Sequence, residues 1–134
     1  MQVDRVLKGT IMAVALLVVT VNSRAGMLDG TTCKVKVTPN LASADKSQQP
    51  FDDTLSFANG KFTSKTFLAK GFKPGVTRGE EEKNEAEFEV EQTNDTGQVI
   101  NWQGAIRGKQ CTGSVHWKMK DGAISSFYFN GTKE

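Results

Sequence analysis

The sequence is poor in the side chains that most often carry chemistry. Its 134 residues include one histidine, His116, two cysteines, Cys33 and Cys111, and three prolines. No Cys-x-x-Cys pair occurs, and a lone histidine supplies no second ligand type at finger-like spacing, so no metal centre or thioredoxin-like redox motif is encoded. A calcium-loop pattern of alternating aspartates is missing too. No organic cofactor is expected.

Long apolar runs are also scarce. The longest spans Ile11 to Val21, 11 residues interrupted only by Thr20, whereas a membrane-crossing helix needs about 20. It follows Arg5 and Lys8 and precedes Asn22-Ser23-Arg24-Ala25, with small residues at the two positions a signal peptidase reads. Charge, apolar core and small-residue exit are the order of a secretory signal peptide, so residues 1–25 read as a cleavable leader and 26–134 as one mature domain. Gly26, not cysteine, follows the expected cleavage point, which argues against a lipid anchor. No stable membrane anchor is expected, and the product is periplasmic or secreted.

An excess of one charge is likewise absent from the mature part. The leader removes Arg5, Lys8, Arg24 and Asp4, which leaves equal numbers of basic and acidic residues. The basic character of the whole chain thus belongs to the targeting segment and gives no support to nucleic-acid binding, which needs a clustered basic face. Oligomeric state is not encoded in any recognisable pattern. An even cysteine count in an exported chain points to a Cys33–Cys111 disulfide. Its loop of 78 residue steps is worth about 4 kcal/mol by loop-closure entropy.

What is present is two-residue alternation and turn chemistry, without sustained helical periodicity. Cys33, Val35 and Val37 alternate with Lys34 and Lys36, and Pro39 halts the strand because it has no N–H for a ladder. A polar connection runs to Pro50. Asn59-Gly60 suits a tight type I′ hairpin, which pairs Phe57 with Phe62 and Leu55 with Ser64. Residues 65–79 break the pattern and read as a loop with at most one helical turn.

From Glu85 the alternation resumes. Ala86, Phe88 and Val90 oppose a row of glutamates; Ile100, Trp102, Gly104 and Ile106 form the next strand; Cys111, Gly113, Val115 and Trp117 the next. For the last hairpin, a three-residue loop ending in a left-handed Gly122 sets Val115 opposite Phe127 and Gly113 opposite Phe129, which gathers the apolar residues on one face. The expected fold is all-β: an antiparallel meander of about seven strands forming a closed or nearly closed barrel, with a two-sheet sandwich as the alternative. Glycines inside the strands favour the barrel, where they permit sharp coiling.

The run Trp102-x-Gly104-x-Ile106-x-Gly108, then Gly113-x-Val115-x-Trp117, Asp121-Gly122 and Phe127-x-Phe129-x-Gly131, with Phe57-Ala58-Asn59-Gly60-Lys61-Phe62, resembles small exported bacterial proteins of uncharacterised function that carry a lipocalin-like or streptavidin-like β-meander. The Gly-x-Trp signature of lipocalins is missing. The resemblance implies the fold and export, and it supplies no catalytic residue.

Candidates for function are correspondingly few. His116 points away from the apolar face, as does Ser114, and no orienting carboxylate is evident for such a pair. The glutamates from Glu80 to Glu91 read as a solvated strand face. Aromatic residues in the 67–78 loop exceed what an irregular connection needs, so Phe67, Leu68, Phe72 and Arg78 are the candidate ligand contacts. The expected function is a non-enzymatic binding module for a small apolar or amphipathic ligand. The alternatives are an interaction or inhibitor domain that presents the same loop to a partner protein, and an enzyme that uses the Glu80–Glu91 carboxylates. Intact mass of exported material should show a chain beginning at Gly26; a membrane-anchored product retaining Met1 would overturn the leader reading.

Overall fold

The computed structural model describes residues 28–40 and 48–134. The expected leader, residues 1–25, and most of the connection between Pro39 and Pro50 lie outside the described residues. In chain order the elements are β1 (Thr32–Pro39), β2 (Phe51–Ala58), β3 (Lys61–Ser64), α1 (Lys65–Leu68), β4 (Gly75–Val76), β5 (Arg78–Glu82), β6 (Glu85–Thr93), β7 (Val99–Arg107), β8 (Gln110–Lys118) and β9 (Ile124–Lys133). All pairings are antiparallel. The sheet order is β4-β3-β2-β1-β9-β8-β7-β6-β5, so every strand lies beside its chain neighbour and β9 returns to β1. The two ends of that order, β4 and β5, are separated in sequence by Thr77 alone. One nearly continuous strand therefore leans on β3 with its first part and on β6 with its second, and the sheet curls into a nearly closed barrel.

The turns follow their residues. Asn59 and Gly60 both have positive φ, 56° and 75°, as a type I′ turn requires, and Phe57 faces Phe62 while Leu55 faces Ser64. Gly122 has φ 95°, and the last hairpin sets Val115 opposite Phe127 and Gly113 opposite Phe129. β1 ends at Pro39, where the register with Phe127 stops. Among the described residues nine strands form where alternation indicates about seven. The additional pair is β4, of only two residues, and β5. The side of β5 that turns inward carries Gly79 and Glu81, so this strand shows no apolar alternation.

Filling a small barrel is the main packing problem, and aromatic rings solve it. Phe57, Phe62, Phe88, Trp102, Phe127 and Phe129 are all buried. Trp102 stands 5.0 Å from Phe62 and 5.6 Å from Phe129, and Phe57 lies 5.1 Å from Phe88. Most of these pairs meet edge to face, which suits the ring quadrupoles. The rings need room against the wall. A Cβ on Gly104 would stand 2.6 Å from Phe129 Cζ and 2.8 Å from Phe88 Cζ, and one on Gly113 would stand 2.6 Å from Phe129 Cζ. Glycine at these strand positions is thus a packing requirement.

Polar groups inside the wall are matched with one exception. Trp102 Nε1 donates to Gln92 Oε1 at 2.9 Å, and Gln92 Nε2 donates to the Lys73 carbonyl at 3.0 Å. This chain ties the approach to β4 onto β6. Thr77 Oγ1, buried at the crossing between β4 and β5, has no hydrogen-bond partner among the described residues.

Cys33 on β1 and Cys111 on β8 form a disulfide with Cα atoms 6.6 Å apart. β9 runs between those two strands, with Gly131 facing Cys111 on one side and Val35 on the other. Two strand spacings in a flat sheet would be about 9.6 Å, so the wall is tightly curled here. Trp102→Ala should lower the unfolding free energy by about 3–5 kcal/mol in denaturant titration, through the cavity left and the stranded Gln92. Thr77→Val should raise it by about 1 kcal/mol, because it removes a desolvated hydroxyl at equal branching; a loss at Thr77 would mean the hydroxyl is satisfied.

Candidate functional site

The four residues singled out in the 67–78 loop do not share one surface. Phe67 and Phe72 are buried, each 1% exposed. They meet at 5.6 Å, and Phe67 lies 5.1 Å from Trp117, 6.0 Å from Trp102 and 6.0 Å from Phe51. Together they plug one barrel end. Leu68 is 51% exposed. Arg78 stands on β5 with its side chain on the outer wall. Trp117, which alternation puts on the same face as Val115, is half-buried at the plug, where its Nε1 donates to Gln98 Oε1 at 3.2 Å. The strand places it one turn of alternation from the barrel end, and depth along a barrel is not encoded in alternation.

The plug is anchored by a residue that alternation puts on the inward face but whose charge hides its role. Asp53, buried and facing inward next to Leu55 on β2, accepts from the Ser64 hydroxyl, from Thr54 N at 2.8 Å and from Thr66 N at 2.9 Å. Ser64 in turn caps α1, its Oγ accepting from Phe67 N at 3.2 Å. A buried carboxylate is tolerated where such donors replace water. These contacts hold the helical turn that drops Phe67 into the barrel mouth. The opposite end is closed by Leu28, Ile106 and the disulfide, all in the same buried cluster.

Rings fill the inside of the barrel between these ends. The concave surfaces include a recess of about 210 Å³ beside Leu28 and Ile106, a groove of about 780 Å³ over Lys34, Asp52 and Thr66, and the outer wall of the later strands. A groove of about 710 Å³ crosses the outer wall of β5 to β9. The strand registers align two outward rows across it. One runs Arg78, Glu89, Gln103, Ser114, Tyr128; the other runs Glu80, Glu87, Ala105, Thr112, Asn130. Between the rows runs the track of inward residues that includes Gly79, Gly104 and Gly113, where the outer surface is bare backbone. Ala105 forms a low point, 8% exposed although it faces outward. Tyr128 stands at the rim, 57% exposed, and its hydroxyl accepts from Asn40 Nδ2 at 3.1 Å. Gln103 Nε2 donates to Glu89 Oε2 at 3.2 Å.

The same wall carries His116, whose Nδ1 lies 3.0 Å from Ser126 Oγ. Its partner is therefore the cross-strand serine, not Ser114 on its own strand. The residue opposite His116 on β7 is Asn101, and His116 itself is exposed on the wall. The glutamates of β6 face outward and exposed, as a solvated strand face. Among the described residues no group of three or more histidines, cysteines, aspartates or glutamates is placed to hold a metal ion, and no helix is long and apolar enough to cross a membrane.

Comparison with protein-family models, with curated proteins and with solved structures returned no match. Phe72→Ala should cost about 3–5 kcal/mol of stability as a core truncation, and Leu68→Ala should stay within about 0.5 kcal/mol. Equal, small losses at both positions would mean that Phe72 lies open at the barrel mouth.

Proposed function

We propose that this chain is an exported, non-enzymatic binding module whose ligand seats on the outer wall of the barrel, in the groove across β5 to β9. The observation that carries the reading is the contrast between a lumen filled by rings and an outer groove whose rim and floor offer polar groups beside an exposed tyrosine. Such a lining suits an amphipathic ligand and gives a purely apolar one little to bury. The groove also has the two-sided character of binding sites: hydrogen-bonding side chains held in place by a rigid sheet, with glycine backbone accessible beneath them. Export is supported by the leader pattern in residues 1–25 and by the Cys33–Cys111 bond, since structural disulfides persist in oxidising compartments.

A second reading, docking of a partner protein on the 67–78 loop, is favoured by one observation. Leu68 and Val76 are both more than half exposed there. A carboxylate enzyme has less support, because Glu80 and Glu87, although opposite one another across β5 and β6, stand exposed on the outer wall as a solvated pair. Amide spectra separate the readings. Amphipathic compounds from a metabolite library should raise the melting midpoint and shift the amides of Gly79, Gly104 and Gly113. Shifts confined to Leu68 and Val76 with a protein partner, and none in the groove, would overturn the outer-wall reading.

A further inference from the structure

We infer that the ligand class of the outer groove is a neutral, polyhydroxylated one, a short oligosaccharide lying across the strands. This rests on the outer-wall reading above. The chemistry of the two rows decides the class. Glu87 and Glu89 are acceptors only, Arg78 is a donor only, and Gln103, Thr112 and Ser114 offer both. A ligand that meets all of them must itself donate and accept repeatedly, as a ring of hydroxyls does. An anion would face the carboxylates of Glu80, Glu87 and Glu89. An alkyl chain would leave the polar rows desolvated and unpaired, at a cost a binding site does not recover.

Tyr128 supplies the second half of the match. Its ring stands at the end of the first row beside Ser114, exposed, with the hydroxyl already engaged by Asn40. A phenol fixed at its polar tip presents its faces and edge to the groove, and an aromatic face takes the C–H side of a pyranose while the hydroxyls turn to the rows. Length agrees as well. Measured along the curled wall, four strand spacings from Arg78 to Tyr128 make a path of about 19 Å, room for several sugar units, and Ala105 lies on the middle strand of that path. The groove is shallow and open, which suits an oligomer that extends past both rims more than a small compound needing enclosure.

The test uses the protein as expressed from its full chain, titrated by amide and tyrosine-ring spectra with soluble cello-, xylo-, malto- and chito-oligosaccharides, and in parallel with spermidine and with a short-chain alkyl sulfate. The expected result is that one oligosaccharide series shifts Gly104, Gly113 and the Tyr128 ring, with affinity rising with the number of units. Tyr128→Ala should weaken it about tenfold, while Tyr128→Phe, which keeps the ring, changes it less than about threefold. Unchanged core resonances in both variants show that the fold is kept. Spermidine or the alkyl sulfate shifting the groove while every sugar leaves it silent would overturn the glycan assignment but leave the outer-wall reading standing. No groove shift with any probe would overturn both. Sugar binding that survives Tyr128→Ala unchanged would overturn the platform role and with it the proposed orientation.

Discussion

The structure depends on how the inside of a small barrel is filled. A wall of this girth leaves space for side chains but little more, and here aromatic rings take it from the plug at Phe67 to the hairpin at Phe57. Once the rings are large, the wall must yield to them. It does so at Gly104 and Gly113, where the Phe88 and Phe129 rings press on strand backbone that could not carry a Cβ. Lumen and wall are therefore one packing decision, and the ring count dictates where glycine must stand. The same decision fills the lumen with side chains, while the groove across β5 to β9 lies on the outer wall.

Several features were legible in the sequence because they depend on neighbours along the chain. Asn59-Gly60 sets a two-residue loop, and period two then carries the Phe57–Phe62 register outward. Gly122 decides the last hairpin in the same manner, since only one register keeps Val115, Phe127 and Phe129 on one face. The disulfide followed from an even cysteine count read together with the expected export. β5 was not legible because the apolar side of an ordinary strand is replaced there by Gly79 and Glu81, so nothing alternates. Asp53 was masked by its charge, although its parity with Leu55 and Phe57 pointed inward.

The groove lay further out of reach. Arg78, Glu89, Gln103, Ser114 and Tyr128 come from five strands, and they align only when four successive registers are known together. A one-residue slip in any of them would turn that row to the other face. The 67–78 loop drew attention for the opposite reason, since its aromatic residues are adjacent in sequence. Density along the chain measured the need for a plug there, whereas the outer site is a property of alignment between strands.

The disulfide has a consequence for the order in which the barrel can be completed. Cys33 and Cys111 bracket β9, and β9 is the last strand to be made. Until residues 124–133 are present, β1 and β8 have no common neighbour, and the disulfide is the one covalent tie between these two edges of the curled sheet. A chain oxidised at that stage is an open sheet with two unpaired edges held at the width of a single missing strand. Such a gap is a template for any extended segment of matching length, and β9 must reach it ahead of a strand from another molecule. Tethering the gap at its Cys33 end raises the local concentration of the right partner, because β9 leaves β8 by a short turn and needs only to fold back. In a chain oxidised in that order the covalent bond would gauge the final insertion, and in the finished barrel it clamps the wall.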